Sequence, residues 1–107
     1  MTAPYVVVVE FVLHSADLMS AFRPLMDENA RTSCRLEPGC RRFDVLVSRT
    51  RADTILLYEI YDSRAEFEAH LIAPHYVSFD QATAGMVRSK VVQDFTLDCE
   101  GSQPETP

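Results

Sequence analysis

Residues 37–61 read EPGCRRFDVLVSRTRADTILLYEIY, and this stretch decides the fold. Glu37-Pro38-Gly39 is turn chemistry: proline removes a backbone donor and disfavours helix in the residue before it, so a preceding helix stops here. Residues 40–49 and 54–61 are then two runs rich in β-branched and aromatic side chains, and the polar 50–53 between them predicts a hairpin. Towards the N-terminus, residues 5–13 form a further strand. Ser15 is placed to cap a helix running to about Arg35, on which Leu18, Phe22, Leu25 and Met26 recur as one apolar stripe. Towards the C-terminus, Ser63-Arg64-Ala65-Glu66 is a capping box for a short helix that runs to Ile72 and breaks at Pro74. A second helical piece over 75–86 and a last strand over 90–97 complete the order βαββαβ. That order predicts an α+β, ferredoxin-like domain: a four-stranded antiparallel sheet with helices on one face.

The chain has 107 residues, 47% hydrophobic and 24% charged, the size and balance of a single domain, expected over residues 1–98. Residues 99–107, acidic and rich in Pro, Gly and Ser, read as a flexible tail. No stretch approaches the roughly 18 unbroken apolar residues of a membrane span. The opening MTAPYVVVVEFVL lacks a basic leader and a small-residue cleavage site, and Glu10 interrupts its apolar run, so it reads as strand and a cytoplasmic location is expected. A net charge of −6 and a pI near 4.9 argue against nucleic acid as a partner. Six of the ten Lys and Arg nevertheless fall at Arg31, Arg35, Arg41, Arg42, Arg49 and Arg51, a positive rim suited to an anionic group, and Arg42 counts among the substrate-binding candidates. Cys34, Cys40 and Cys99 are an odd number without a C-x-x-C pair and read as reduced, buried, small hydrophobes. Cys34, Cys40, His70 and His75 match no structural zinc spacing, and no metal site is expected.

Two strands are apolar on both faces: Val6-Val7-Val8-Val9 and Ile55-Leu56-Leu57-Tyr58. A half-solvated antiparallel strand should alternate apolar and polar residues. The helices suffice for one face only, so the other is expected to meet the same face of a second copy in a two-fold homodimer.

The first helix contains a misfit. At 100° per residue, Asn29 falls within about 40° of Leu18, in the middle of the apolar stripe. A buried amide needs partners; Asn29 either ties the helix to its surroundings or reaches into a cavity between helix and sheet, where it can hold an anionic oxygen. His70 and His75, separated by a proline break and followed by Tyr76, mark a cavity rim with proton carriers suited to neutral pH. Glu59, inside an apolar strand, is a candidate base with a raised pKa or else a partner for Arg42 or Arg35. No glycine-rich phosphate loop exists among only three glycines, and no nucleotide cofactor is expected.

The residues E-P-G-C-R-R-F-D-V over 37–45, L-Y-E-I-Y over 57–61, His70 and P-H-Y over 74–76 resemble the antibiotic biosynthesis monooxygenase domain family. The resemblance implies a dimeric α/β barrel with its cavity between helices and sheet. It implies one of three activities: cofactor-independent oxidation of hydroquinone-type aromatics by O₂, isomerisation of phosphorylated autoinducer-2, or haem degradation. Haem degraders carry a Trp, which this chain lacks. The arginine-rich segment suits the isomerase, and a small-molecule-binding protein without turnover is a further class. By the resemblance, Asn29 stands at the family's polar helix position and His70, His75 and Tyr76 on its second-helix segment. Asn29 is then the oxygen-anion donor and His70 or His75 the proton carrier, with Phe43, Tyr58 and Tyr61 as pocket walls.

Overall fold

In the computed structural model, which describes residues 3–102, the chain runs β1 (Tyr5–Leu13), a 3-10 turn (Ala16–Leu18), α1 (Met19–Leu36), β2 (Cys40–Val47), β3 (Thr54–Tyr61), α2 (Arg64–Leu71), α3 (Pro74–Thr83) and β4 (Val87–Thr96). The strands form one antiparallel sheet in the order β2-β3-β1-β4, the ferredoxin-like α+β arrangement. The segment expected to be a tail enters only as far as residue 102; residues 103–107 lie outside the described residues. None of the described helices is long and apolar enough to cross a membrane.

Local chemistry departs from expectation at three places. Ser15 is extended and makes no side-chain cap; a single 3-10 turn, closed by Leu18 N–H on the Ser15 carbonyl, leads into α1 instead. In the capping box, Ser63 Oγ donates to the Glu66 carboxylate and accepts from no helix amide, while Glu66 N–H donates to the Ser63 carbonyl. The buried stripe of α1 is Phe22, Met26, Asn29 and Ser33, and Leu25 lies outside it at 38% exposure. Glu37 ends α1 as expected, and Gly39 is required by packing: a Cβ there would stand 1.9 Å from Glu66 Cγ.

The odd-numbered residues of β1 and β3 face the helices. Val7, Val9, Phe11 and Leu13 meet Ile55, Leu57 and Tyr61 beneath Phe22, Met26 and Phe79, and this is the core. Phe11, Phe22 and Phe79 pack with ring centroids 5.5–6.4 Å apart, at tilted and edge-on angles that suit aromatic quadrupoles. The opposite sheet face carries Val6, Val8, Leu56, Tyr58, Ile60, Leu46, Val91 and Phe95, with Leu46, Val91 and Phe95 each at least 44% exposed. Of the cysteines, only Cys40 is buried; Cys34 and Cys99 are exposed, so the expectation of buried thiols fails for two of the three.

Candidate functional site

The antiparallel register builds the floor of a cavity of about 330 Å³ in three rows. Phe43 lies opposite Glu59, Leu57 and Val92 flank Val9, and Lys90 lies opposite Phe11. Met26 and Asn29 of α1, Phe67, His70 and Leu71 of α2, and Tyr76 and Phe79 of α3 supply the roof and rim. The lining is apolar with a few polar groups, which is the usual make-up of a small-molecule site.

One wall is organised around Glu37, the residue that ends α1. Its Oε2 accepts from His70 Nδ1 at 2.8 Å and from His75 Nε2 at 2.5 Å. Ser33 Oγ, which donates to the Asn29 carbonyl at 2.7 Å, lies 3.4 Å from the same His70 nitrogen. His70 is 2% exposed, in the last turn of α2, with Phe43, Tyr61, Phe67 and Tyr76 around its ring. Burial pushes its pKa down, against the pull of Glu37 upward, so the imidazole is neutral at neutral pH. His75 follows Pro74, which opens α3 at a position where a missing N–H costs nothing. It faces a shallower hollow between α1 and α3 that also touches Asn29.

The floor holds Glu59, 2% exposed, with the Tyr61 phenol donating to its Oε1 at 2.6 Å. Burial raises the Glu59 pKa to about 7, partly offset by that hydrogen bond and by Lys90. Burial likewise pushes the Tyr61 phenol well up, with Glu59 adding to it. Lys90 Nζ donates to the Tyr76 hydroxyl at 3.0 Å and stands 5.4 Å from the centre of the Phe11 ring. Asn29 joins the lining from α1 at 4% exposure, with Oδ1 buried and without a hydrogen-bond partner among the described residues.

The cavity therefore gathers Asn29, His70, Phe43, Glu59 and Tyr76, while His75 stands behind Glu37. Tyr61 is wholly buried outside the cavity lining and supports it from behind, through its hydrogen bond to Glu59 and its ring contacts with Phe67 and His70. Tyr58 and Arg42 lie on the opposite sheet face, because each pairs in register with a neighbour whose side chain also points that way: Tyr58 with Asp44, Arg42 with Ile60. Glu59 pairs with Tyr61 and not with Arg42 or Arg35; Arg42 bonds Asp44 at 2.6 Å. The arginines do not converge: Arg41 is paired with Asp62 and Arg51 with Glu10, and none lines the cavity.

Sequence reasoning missed Glu37 and Lys90. Glu37 carried a signal: a negative charge at a helix C-terminus is disfavoured by the helix dipole, so a carboxylate there needs partners from elsewhere. Lys90 is legible only from strand pairing. Glu37, His70 and His75 bring three ligand-type atoms within 4.8 Å of one another, a set that no spacing in the sequence suggests. A metal bonded at about 2.0–2.2 Å would have to displace Oε2 from both hydrogen bonds; the distances are those of a proton-linked carboxylate and imidazole pair.

Fold and site together define a ferredoxin-like α+β domain with a largely apolar cavity between helices and sheet. The profile of the family "Antibiotic biosynthesis monooxygenase" matches residues 4–82, and the chain belongs to that family. It is 35% identical to Rv0793 of Mycobacterium tuberculosis, named as a candidate monooxygenase, over 74% of this chain and 75% of that protein. The solved structure of Rv0793 superposes with a TM-score of 0.81 at 30% identity, covering 94% of this chain and all of that one (100%). A candidate antibiotic biosynthesis monooxygenase from Nitrosomonas europaea superposes at 0.84 with 28% identity, over 90% and 91% of the two chains. Membership supports a monooxygenase-type activity in general terms.

Proposed function

We propose that the protein is a cytoplasmic, cofactor-independent monooxygenase that oxidises a small hydroquinone-type aromatic with O₂ and works as a homodimer. The observation that carries this reading is the Glu37–His70 pair in the wall of an apolar cavity. With Nδ1–H held by the carboxylate, Nε2 is the nitrogen left to take a proton, the logic by which a carboxylate sets the tautomer of a catalytic histidine. Glu59, also in the cavity lining, is displaced in the opposite sense, to about 7, so that a large share of it is protonated at neutral pH. Two titratable groups driven apart in this way suit a base and an acid.

His70 removes a hydroxyl proton from the substrate, leaving an electron-rich anion. That anion passes one electron to O₂, and the two radicals combine to form a C–O bond. The O–O bond of the hydroperoxide then breaks and the ring carbon gives up its hydrogen as a proton. One oxygen stays as a carbonyl and the other leaves as water, protonated from Glu59. A hydroquinone and O₂ thus give a hydroxyquinone and water. Lys90 and the Asn29 amide stabilise the anionic oxygens in a site screened from solvent by aromatic rings. The unpartnered Asn29 Oδ1 suits a substrate hydroxyl. The open sheet face, apolar along β1, β3 and β4, is where the second copy packs. The isomerase reading finds no support here, since a phosphate wants arginine and the cavity has none.

The test is oxygen uptake by the metal-stripped protein with a panel of small hydroquinones, against heat-inactivated protein. Uptake with quinone product in proportion is expected. No uptake across the panel, with the protein folded, would overturn the assignment.

A further inference from the structure

Cys34 and Cys40 flank the turn that carries Glu37. Cys34 lies in the last turns of α1 and is exposed; Cys40 is the first residue of β2 and is buried. Their Sγ atoms are 3.7 Å apart. A disulfide needs about 2.05 Å, so small side-chain rotations suffice to bring the sulfurs together. The third cysteine, Cys99, is exposed and follows β4.

We propose that Cys34 and Cys40 are a peroxide-responsive dithiol whose oxidation closes a ring over residues 34–40 and resets Glu37 against His70 and His75. The thiol chemistry stands on this pair alone; its consequence for catalysis rests on the role given above to Glu37. Burial and the adjacent Cys34 push the Cys40 thiol up, so the exposed Cys34 is the sulfur that reacts first. Its thiolate attacks a peroxide oxygen: an S–O bond forms, the O–O bond breaks, and hydroxide leaves and is protonated to water. Cys40 then attacks the Cys34 sulfenic acid. The S–S bond forms, the S–O bond breaks, and the departing hydroxide takes the Cys40 proton as a second water. Two thiols are oxidised and one hydrogen peroxide is reduced. A peroxide intermediate that escapes a cofactor-free oxygenase would supply the oxidant locally.

Glu37 links this ring to the site because one carboxylate oxygen holds both imidazoles. Only two residues, Arg35 and Leu36, separate it from Cys34, and two, Pro38 and Gly39, from Cys40. Drawing the sulfurs together tightens that turn, whose Gly39 is packed closely on the Glu66 side chain.

The experiment treats the reduced full-length chain with hydrogen peroxide and follows free thiols, peptide masses and the imidazole proton resonances. Expected are the loss of two of the three thiols, a linked peptide pair containing Cys34 and Cys40, reversal by dithiothreitol, and a changed His70 titration. Cys34→Ser should lose the link and keep the reduced protein's His70 titration in peroxide. Survival of all thiols, or linkage only between chains through Cys99, would overturn the proposal. A Cys34–Cys40 link that leaves the His70 titration unmoved would overturn the coupling to Glu37. None of these readouts needs turnover, so failure of the oxygenase assignment is separately visible.

Discussion

The two faces of the sheet are made by the same strands and differ in what they bury. On the helix side, Glu59, His70 and Asn29 sit among phenylalanines, and every one of them is at most 4% exposed. On the open side, the charged groups lie at the surface in ordinary ion pairs, such as Arg42 with Asp44 and Arg51 with Glu10. Glu10 and Glu59 show the contrast in one residue type. Glu10 meets an arginine at the surface. Among the described residues Glu59 has only a phenol within hydrogen-bond reach, and burial drives its pKa to about 7. The shifted proton affinity of Glu59 follows from desolvation without full charge compensation, whereas the open face keeps its charges paired and in contact with water.

The strongest way to break this contrast is to remove the helix-side base. His70→Ala should lower the turnover of a hydroquinone by about 100-fold or more with the dimer retained. A variant within threefold of the parent, by oxygen electrode, would remove His70 from the chemistry. In the parent, activity should fall as pH drops through the depressed His70 pKa, because the protonated ring has no lone pair to offer.

Glu59→Gln tests the burial argument through stability. Glu59 binds its proton more tightly in the folded protein, at about 7 against an ordinary 4.5, so folding is favoured fully below about 4.5 and that advantage is lost as pH rises through about 7. Glutamine removes this dependence. Relative to the parent, Glu59→Gln should gain up to about 3 kcal/mol in urea melts between pH 4 and pH 8. Parallel stability curves for the two proteins would refute the raised pKa.

Phe95→Asp probes the open face. It should weaken self-association at least about tenfold, seen as a monomeric mass by light scattering, and leave the monomer folded. A monomeric parent at micromolar concentration would refute the face-to-face assembly outright. Asn29→Ala is the mildest change: a loss of about tenfold in turnover with little effect on association. An unchanged rate would leave Asn29 as a structural amide only.

Much of the fold was legible because it rests on local signals. β-branched runs, the Pro38-Gly39 stop and the break at Pro74 place the elements in order, with ends shifted by a few residues, as at β4, which begins at Val87 instead of 90. The burial of Asn29 was legible too, since helical periodicity alone puts it under the stripe. Tyr58 and Arg42 were misplaced because assigning a strand residue to a face requires the register, and a bulge between Cys40 and Arg42 shifts that register at the start of β2. Glu37 was hidden by its own turn, which explained the residue before any partner was known.

The linear chain, then, set the element order, the helical stop and the buried amide, since these depend on φ preference and periodicity within a few residues. Folding in three dimensions decided that Glu37 meets two histidines more than thirty residues away, that Lys90 joins the cavity from the edge strand, and that Glu59 meets a phenol instead of an arginine. Those pairings depend on strand register and helix docking, and it is through them that burial reaches the ionisable groups and sets their proton affinities.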